Sequence, residues 1–99
     1  MSTVTLKTYR GTADVNAALN GVQHIWGIIA RNSGTSTAAV AIYDALTVTG
    51  NPVINIAANT GDGTNYEEMF GIMFPRAVRV STGVTVDVTN VDEFFIYYS

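Results

Sequence analysis

Apolar and polar residues alternate most cleanly near the C-terminal end of the chain. Val84, Val86 and Val88 fall on one side, and Thr85, Asp87 and Thr89 on the other. Val78 and Val80 oppose Arg79 and Ser81 in the same way. A period of two places successive side chains on opposite faces of a strand, so these segments predict half-buried antiparallel strands with one wet face. The same reading gives strands over Thr3–Tyr9, Val22–Asn32, Thr37–Leu46, Val53–Ala58, Tyr66–Phe74 (ending at Pro75), Ala77–Ser81, Val84–Asn90 and Asp92–Tyr98. Asp14–Gly21 reads differently. Asp14 suits a helix N-cap, Val15, Ala18 and Leu19 have helical spacing, and Asn20-Gly21 suits a stop, so a short helical turn is expected at residues 14–20. Turn formers recur about every ten residues, at Gly11, Gly21, Gly34, Gly50-Asn51-Pro52, Gly61-Asp62-Gly63, Pro75, Gly83 and Asn90.

Strands with one apolar face need a second sheet to cover it. The expected fold class is therefore all-β, a single antiparallel two-sheet sandwich of about eight strands, with jelly-roll and immunoglobulin-like orders both open. Residues 1–21 are expected to form an N-terminal strand or arm and a connection, and residues 22–99 the sandwich body, within one domain overall.

Three segments do not alternate: Ile25-Trp26-Gly27-Ile28-Ile29-Ala30, Met69-Phe70-Gly71-Ile72-Met73-Phe74 and Phe94-Phe95-Ile96-Tyr97-Tyr98. A sandwich strand has one inner face, so apolarity on both faces calls for a second cover. That cover is either a subunit interface or the long connections of the same chain. The candidate interface residues are Lys7, Arg10, Trp26, Met69, Phe70, Ile72, Phe74, Tyr97 and Tyr98.

Composition sharpens this picture. Val, Ile and Thr supply 33 of the 99 residues, and β-branched side chains suit a pleated surface. Only 13% of residues are charged and 47% are hydrophobic, which argues against disorder. The net charge is −3; without clustered Lys and Arg the chain offers no phosphate-neutralising grip, so no nucleic acid is expected as a partner. The longest apolar run is far short of the roughly 20 residues that cross a bilayer, so no membrane partner is expected. Met1–Arg10 is polar and carries no export signal, which suggests use without Sec export.

The search for chemistry returns little. No cysteine is present, which excludes thiolate metal sites and a cysteine nucleophile. His24 stands alone among Ile, Trp and Val and reads as a packed ring. Glu67-Glu68 and Asp92-Glu93 are adjacent strand residues that diverge, whereas paired carboxylate catalysis needs convergence. They read as charges guarding the apolar strands that follow. The loop Asn59–Asn65 lacks the acid spacing of a calcium loop and reads as a glycine-bearing turn. No catalytic, cofactor or metal residue is expected, and the chain is read as non-enzymatic. Tyr43, Tyr66, Tyr97 and Tyr98 keep sugar stacking open.

The order of short patterns, Trp26–Gly34, Val40-Ala41-Ile42-Tyr43-Asp44, Gly50-Asn51-Pro52-Val53, Phe74–Val86 and Phe95-Ile96-Tyr97-Tyr98, resembles small β-sandwich or jelly-roll virion structural proteins of tailed bacteriophages, of the capsid decoration (cement) type. The resemblance spans about residues 22–98 and includes no catalytic site. It implies a protein of the virion, made in the host bacterial cytoplasm, that binds the major capsid (shell) protein on the assembled shell and stabilises it through many weak contacts, often as a homotrimer. It further implies that Lys7 and Arg10 anchor the N-terminal arm on an acidic shell surface. A tail- or fibre-associated carbohydrate- or receptor-binding module is the alternative.

Overall fold

The computed structural model describes residues 5–33, 37–58 and 69–99. The expected turn at Ser33-Gly34-Thr35, the Asn59–Asn65 loop, Tyr66 and Glu67-Glu68 lie wholly or in part outside the described residues. Among the described residues eight strands form: β1 (Lys7–Gly11), β2 (Val15–Asn20), β3 (Gln23–Asn32), β4 (Ala38–Asp44), β5 (Ile54–Ala58), β6 (Met69–Val80), β7 (Gly83–Thr89) and β8 (Val91–Tyr98). They make two four-stranded sheets, β1-β8-β3-β6 and β2-β7-β4-β5. Every pairing is antiparallel.

The order has a simple logic. β4 pairs with β5, β3 with β6, β2 with β7 and β1 with β8. The chain is thus one long two-stranded ribbon folded at the β4–β5 connection. Rolling that ribbon brings β3 against β8 and β4 against β7, and so closes the two sheets. This is the jelly-roll order, not the immunoglobulin one.

The alternating segments lie as the period of two predicts. Val84 and Val86 are fully buried, as are Val40 and Ile42 of β4, and Ile54 is nearly so. The facing sheet contributes Ile25, Ile28 and Ala30 of β3, Val80 of β6, and Phe94 and Ile96 of β8, all fully buried. Among the described residues, the buried positions include only Asn32 and Thr85 as polar side chains. The interior is therefore a packed hydrocarbon layer.

Three local irregularities depart from the expected elements, and each is a bulge. The helical turn expected at residues 14–20 is strand β2. Val15 opposes Val86 and Leu19 opposes Val84, so three residues of β2 face the single residue Thr85. Ala17 takes a left-handed φ of 50° inside this bulge. Val15 and Leu19 both pack on the core, and their separation of four mimics a helical stripe. In β6, the two strands expected on either side of Pro75 are one strand. Pro75 falls in an interruption of the β3–β6 ladder, between the pairs Gly27–Met73 and Ile25–Val78, where a missing N–H costs no ladder bond. In β3, Trp26 is the extra residue between Ile25 and Gly27 against β8, so Ile25 and Ile28 both face inward. The first strand, expected over Thr3–Tyr9, runs from Lys7 to Gly11.

Thr85 holds the β2 bulge in place. Its Oγ1 accepts a hydrogen bond from the Ala17 N–H (3.0 Å) and donates one to the Ala45 carbonyl (2.8 Å). Thr85→Val keeps the shape but strands both backbone groups at a fully buried site. Urea unfolding should show a loss of about 1–3 kcal/mol; an unchanged midpoint would mean that the bulge does not depend on this hydroxyl.

Candidate functional site

The two outer faces of the sandwich differ in kind. On the β2-β7-β4-β5 sheet, the register groups Ala39 with Thr89 and Ala57, and Ala41 with Asp87 and Asn55. These two rows are small or polar side chains, suited to water; Tyr43, opposite Thr85, is the aromatic residue on the same side. On the β1-β8-β3-β6 sheet, the outward positions form three rows. Thr8, Tyr97, Gly27 and Met73 make one row, and Arg10, Phe95, Ile29 and Gly71 the next. Glu93, Arg31 and Met69 make the third. The middle of this face is apolar: Tyr97, Phe95, Ile29, Met73 and Met69. Met69 is 54% exposed and Met73 is 52% exposed.

Two glycines keep this face shallow. A β-carbon added at Gly27 would overlap the Met73 sulfur, so the thioether lies across Gly27. A β-carbon at Gly71 would overlap the backbone of Ile28 and Ile29. An open groove of about 290 Å³ lies along the first half of β6, lined by Ile29, Met69, Phe70, Gly71, Ile72 and Met73. One corner of the face is charged. Glu93 accepts from Arg10 Nε (2.9 Å) and Nη2 (2.8 Å), and lies 3.4 Å from Arg31 Nη1. The Glu93 carboxylate is thus clamped across three strands.

The candidate interface residues divide between the faces. Phe70, Phe74 and Tyr98 pack against the core. Ile72 aligns with Ile28 and Ile96 on the inner side but is 42% exposed; among the described residues, β6 pairs with β3 alone. Met69 and Tyr97 sit on the outer face. Trp26 is half-buried in its bulge, and its Nε1–H donates to Ser99 Oγ (2.9 Å). Arg10 is held by Glu93, and the Lys7 ammonium lies 5.9 Å from the centre of the Tyr98 ring. Ile29, Phe95 and Met73 belong to the outer face as well. The signal for Phe95 was parity: if Phe94 and Ile96 face inward, Phe95 and Tyr97 face out.

His24, expected as a packed ring, is exposed. Its strand position lies at the end of the sheet, where its backbone pairs with Ser99 (3.0 and 2.9 Å). Among the described residues, no three His, Cys, Asp or Glu side chains gather where they could hold a metal ion, and no helix is long and apolar enough to cross a membrane.

One carboxylate is tightly engaged. Asp44, at the end of β4, accepts hydrogen bonds from the backbone N–H groups of Ser81 (3.0 Å), Thr82 (2.8 Å) and Gly83 (3.3 Å), and from the Ser81 hydroxyl (3.3 Å). Those donors, Thr82 first, hold its pKa below the ordinary 3.8. The group ties the β6–β7 turn to the neighbouring strand and is structural. A lowered folded pKa stabilises the fold above the ordinary value, and that contribution is lost as pH falls from there through the lowered value. Asp44→Asn should cost about 1–2 kcal/mol at pH 7, discounted for exposure. The gap to the parent protein should narrow in urea melts below pH 3.8. A gap that is constant with pH would contradict this role.

Neither protein-family profiles nor curated proteins give a match to this chain. Among solved structures, the coat protein of Tobacco streak virus is similar over 96% of this chain and 85% of that one, with 8% identity and a TM-score of 0.40.

Proposed function

We propose that this chain is a non-enzymatic structural protein of a virion, a capsid decoration protein that binds the assembled shell and stabilises it. The observation that carries this reading is the asymmetry of the two outer faces. One sheet presents mainly Ala, Thr, Asn and Asp to water, with Tyr43 toward one end. The other presents Tyr97, Phe95, Ile29, Met73 and Met69 beside the Arg10–Glu93–Arg31 cluster. A contiguous apolar face with a charged margin is the anatomy of a protein interface. The jelly-roll order is one used by capsid proteins, and the sequence resembles small phage virion proteins. The partner in this reading is the major capsid protein, and stability comes from many copies each bridging neighbouring shell subunits. The N-terminal strand and the sandwich body act as one unit, because β1 and β2 each complete a sheet.

The test is to strip the protein from purified particles and challenge the shell with heat or low salt. The stripped shell should fail at lower temperature and recover when the protein is added back. Unchanged shell stability would overturn the cementing role, and binding to glycans in place of shells would favour a receptor-binding module.

A further inference from the structure

Charge is divided between the two sheets. All five Lys and Arg residues of the chain, Lys7, Arg10, Arg31, Arg76 and Arg79, lie on β1, β3 and β6, strands of the β1-β8-β3-β6 sheet. Two carboxylates, Asp92 and Glu93, lie on the same sheet, both in β8. The strands of the other sheet hold no cation, and their charged residues are Asp44 and Asp87. Asp14, just before β2, is tied to that sheet by the Val88 N–H (2.7 Å). A chain of net charge −3 thus turns a positive sheet to one side and a negative sheet, about 10 Å away, to the other. Solubility alone does not explain the division. Carboxylates outnumber cations in this chain, and they keep an apolar face wet at least as well.

The cations are not equally committed. Arg10 and Arg31 are held on Glu93, and the Lys7 ammonium lies over the Tyr98 ring. Arg76 and Arg79 are exposed, and among the described residues neither has a carboxylate within ion-pair distance. Arg79 lies opposite the exposed His24, in the row next beyond Tyr97, Gly27 and Met73. This end of β6 leads through Ser81-Thr82 into β7, all described residues. Roughly 30 Å of extended strand separates Arg79 from Met69. We propose that the surface on which this face docks is acidic. Carboxylates of the shell protein meet Arg76 and Arg79 at the margin, and its apolar side chains meet Phe95, Ile29 and Met73 at the centre. The inference rests on the shell-binding reading above and adds the chemistry of the partner.

Two other occupants fit less well. A nucleic acid calls for cations along a track with stacking rings between them, whereas here the centre is partly aliphatic and the free cations stand at its margin. The negative sheet of a second copy sets Ala39, Ala41 and Ala57 against an apolar centre of large side chains. The charge division acts before contact is made. A positive sheet backed by a negative one orients the molecule in the field of an acidic surface, apolar face first, and speeds its arrival. Margin charges change the association rate and its salt dependence, whereas buried anchors such as Phe95 set how long the complex lasts.

The test follows the rate at which the protein attaches to stripped shells as salt is raised. For the unmodified chain the rate should fall at least about tenfold between about 0.05 M and about 1 M salt, where the Debye length shrinks to about 3 Å. Arg76→Gln/Arg79→Gln should melt as the parent does and attach at least about fivefold more slowly at low salt. Its rate should match the parent's at about 1 M salt, and its dissociation should change less than about twofold. Arg79→Gln/Thr89→Arg keeps the net charge at −3 and moves one cation to the other sheet. It should attach as slowly as Arg79→Gln alone. Recovery of the parent rate in that variant would overturn the proposal, because net charge and not its placement would then govern. Attachment that ignores both salt and the two arginines would overturn it and leave shell binding intact; no attachment at any salt would overturn both. A mass above 10.6 kDa at low salt, lost in Arg76→Gln/Arg79→Gln, would give the face to a second copy. Salt-dependent binding of a single-stranded DNA oligonucleotide as tight as that of the shell would give it to nucleic acid. Either result overturns the acidic shell surface as its partner.

Discussion

Phe94→Ala should cost about 3–5 kcal/mol of folding free energy, much of the roughly 5–15 kcal/mol a domain this size has. Phe94 is fully buried at the centre of the core. Its ring fills the space over Gly11, where a β-carbon would overlap it, and its centroid lies 6.1 Å from that of Tyr9. Truncation leaves a cavity in a core built mainly of Val and Ile from both sheets, side chains with little freedom to close it. The urea midpoint should fall by about 2 M. Phe95→Ala, one residue along the same strand, should cost no more than about 1 kcal/mol, since that side chain lies on the opposite face. Equal losses at the two positions would mean that β8 is not divided between an inner and an outer face as described.

Phe95→Asp should leave the protein folded and weaken its attachment to stripped shells by at least about 30-fold, the effect of losing one central anchor. Phe95 sits in the middle row of the apolar face, between Arg10 of β1 and Ile29 of β3. A carboxylate there would have to be desolvated against the partner surface. The measurement is a binding isotherm of the variant on stripped particles, beside thermal melts of the protein alone. Substitution on the other sheet, such as Ala41→Asp beside Asp87 and Asn55, should leave attachment within about twofold of the parent protein. Attachment lost in the second variant and kept in the first would place the contact on the opposite face.

Much of the architecture is legible in the alternating segments. Val84, Val86 and Val88, with Val78 and Val80, fix which side of β7 and of the end of β6 is buried, and they do so by the period of two alone. The bulges are what alternation cannot express. At Ala17 the extra residues bring Val15 and Leu19 to the same face at a separation of four, so a strand reads as a helical stripe. At Pro75 a residue that usually ends a strand sits in an interruption of the ladder, so one strand reads as two. At Trp26 the inserted residue turns Ile25 and Ile28 to the same side, and part of the apparent two-sided apolarity of that segment comes from this shift. The remaining two-sidedness, in Phe94–Tyr98 and Met69–Phe74, is real, and it marks the outer face. The Asp44 clamp on the β6–β7 turn has no local signature, because its donors lie nearly forty residues away and meet it only through the roll of the ribbon.

The central claim is that the apolar face of the β1-β8-β3-β6 sheet exists to be covered within a virion. Its most direct test is quantitative mass spectrometry of virus particles purified from cells that produce this chain. The account predicts this chain on the particle at a fixed ratio to the shell protein, consistent with many copies per shell. A protein abundant in infected cells and absent from purified particles would contradict it.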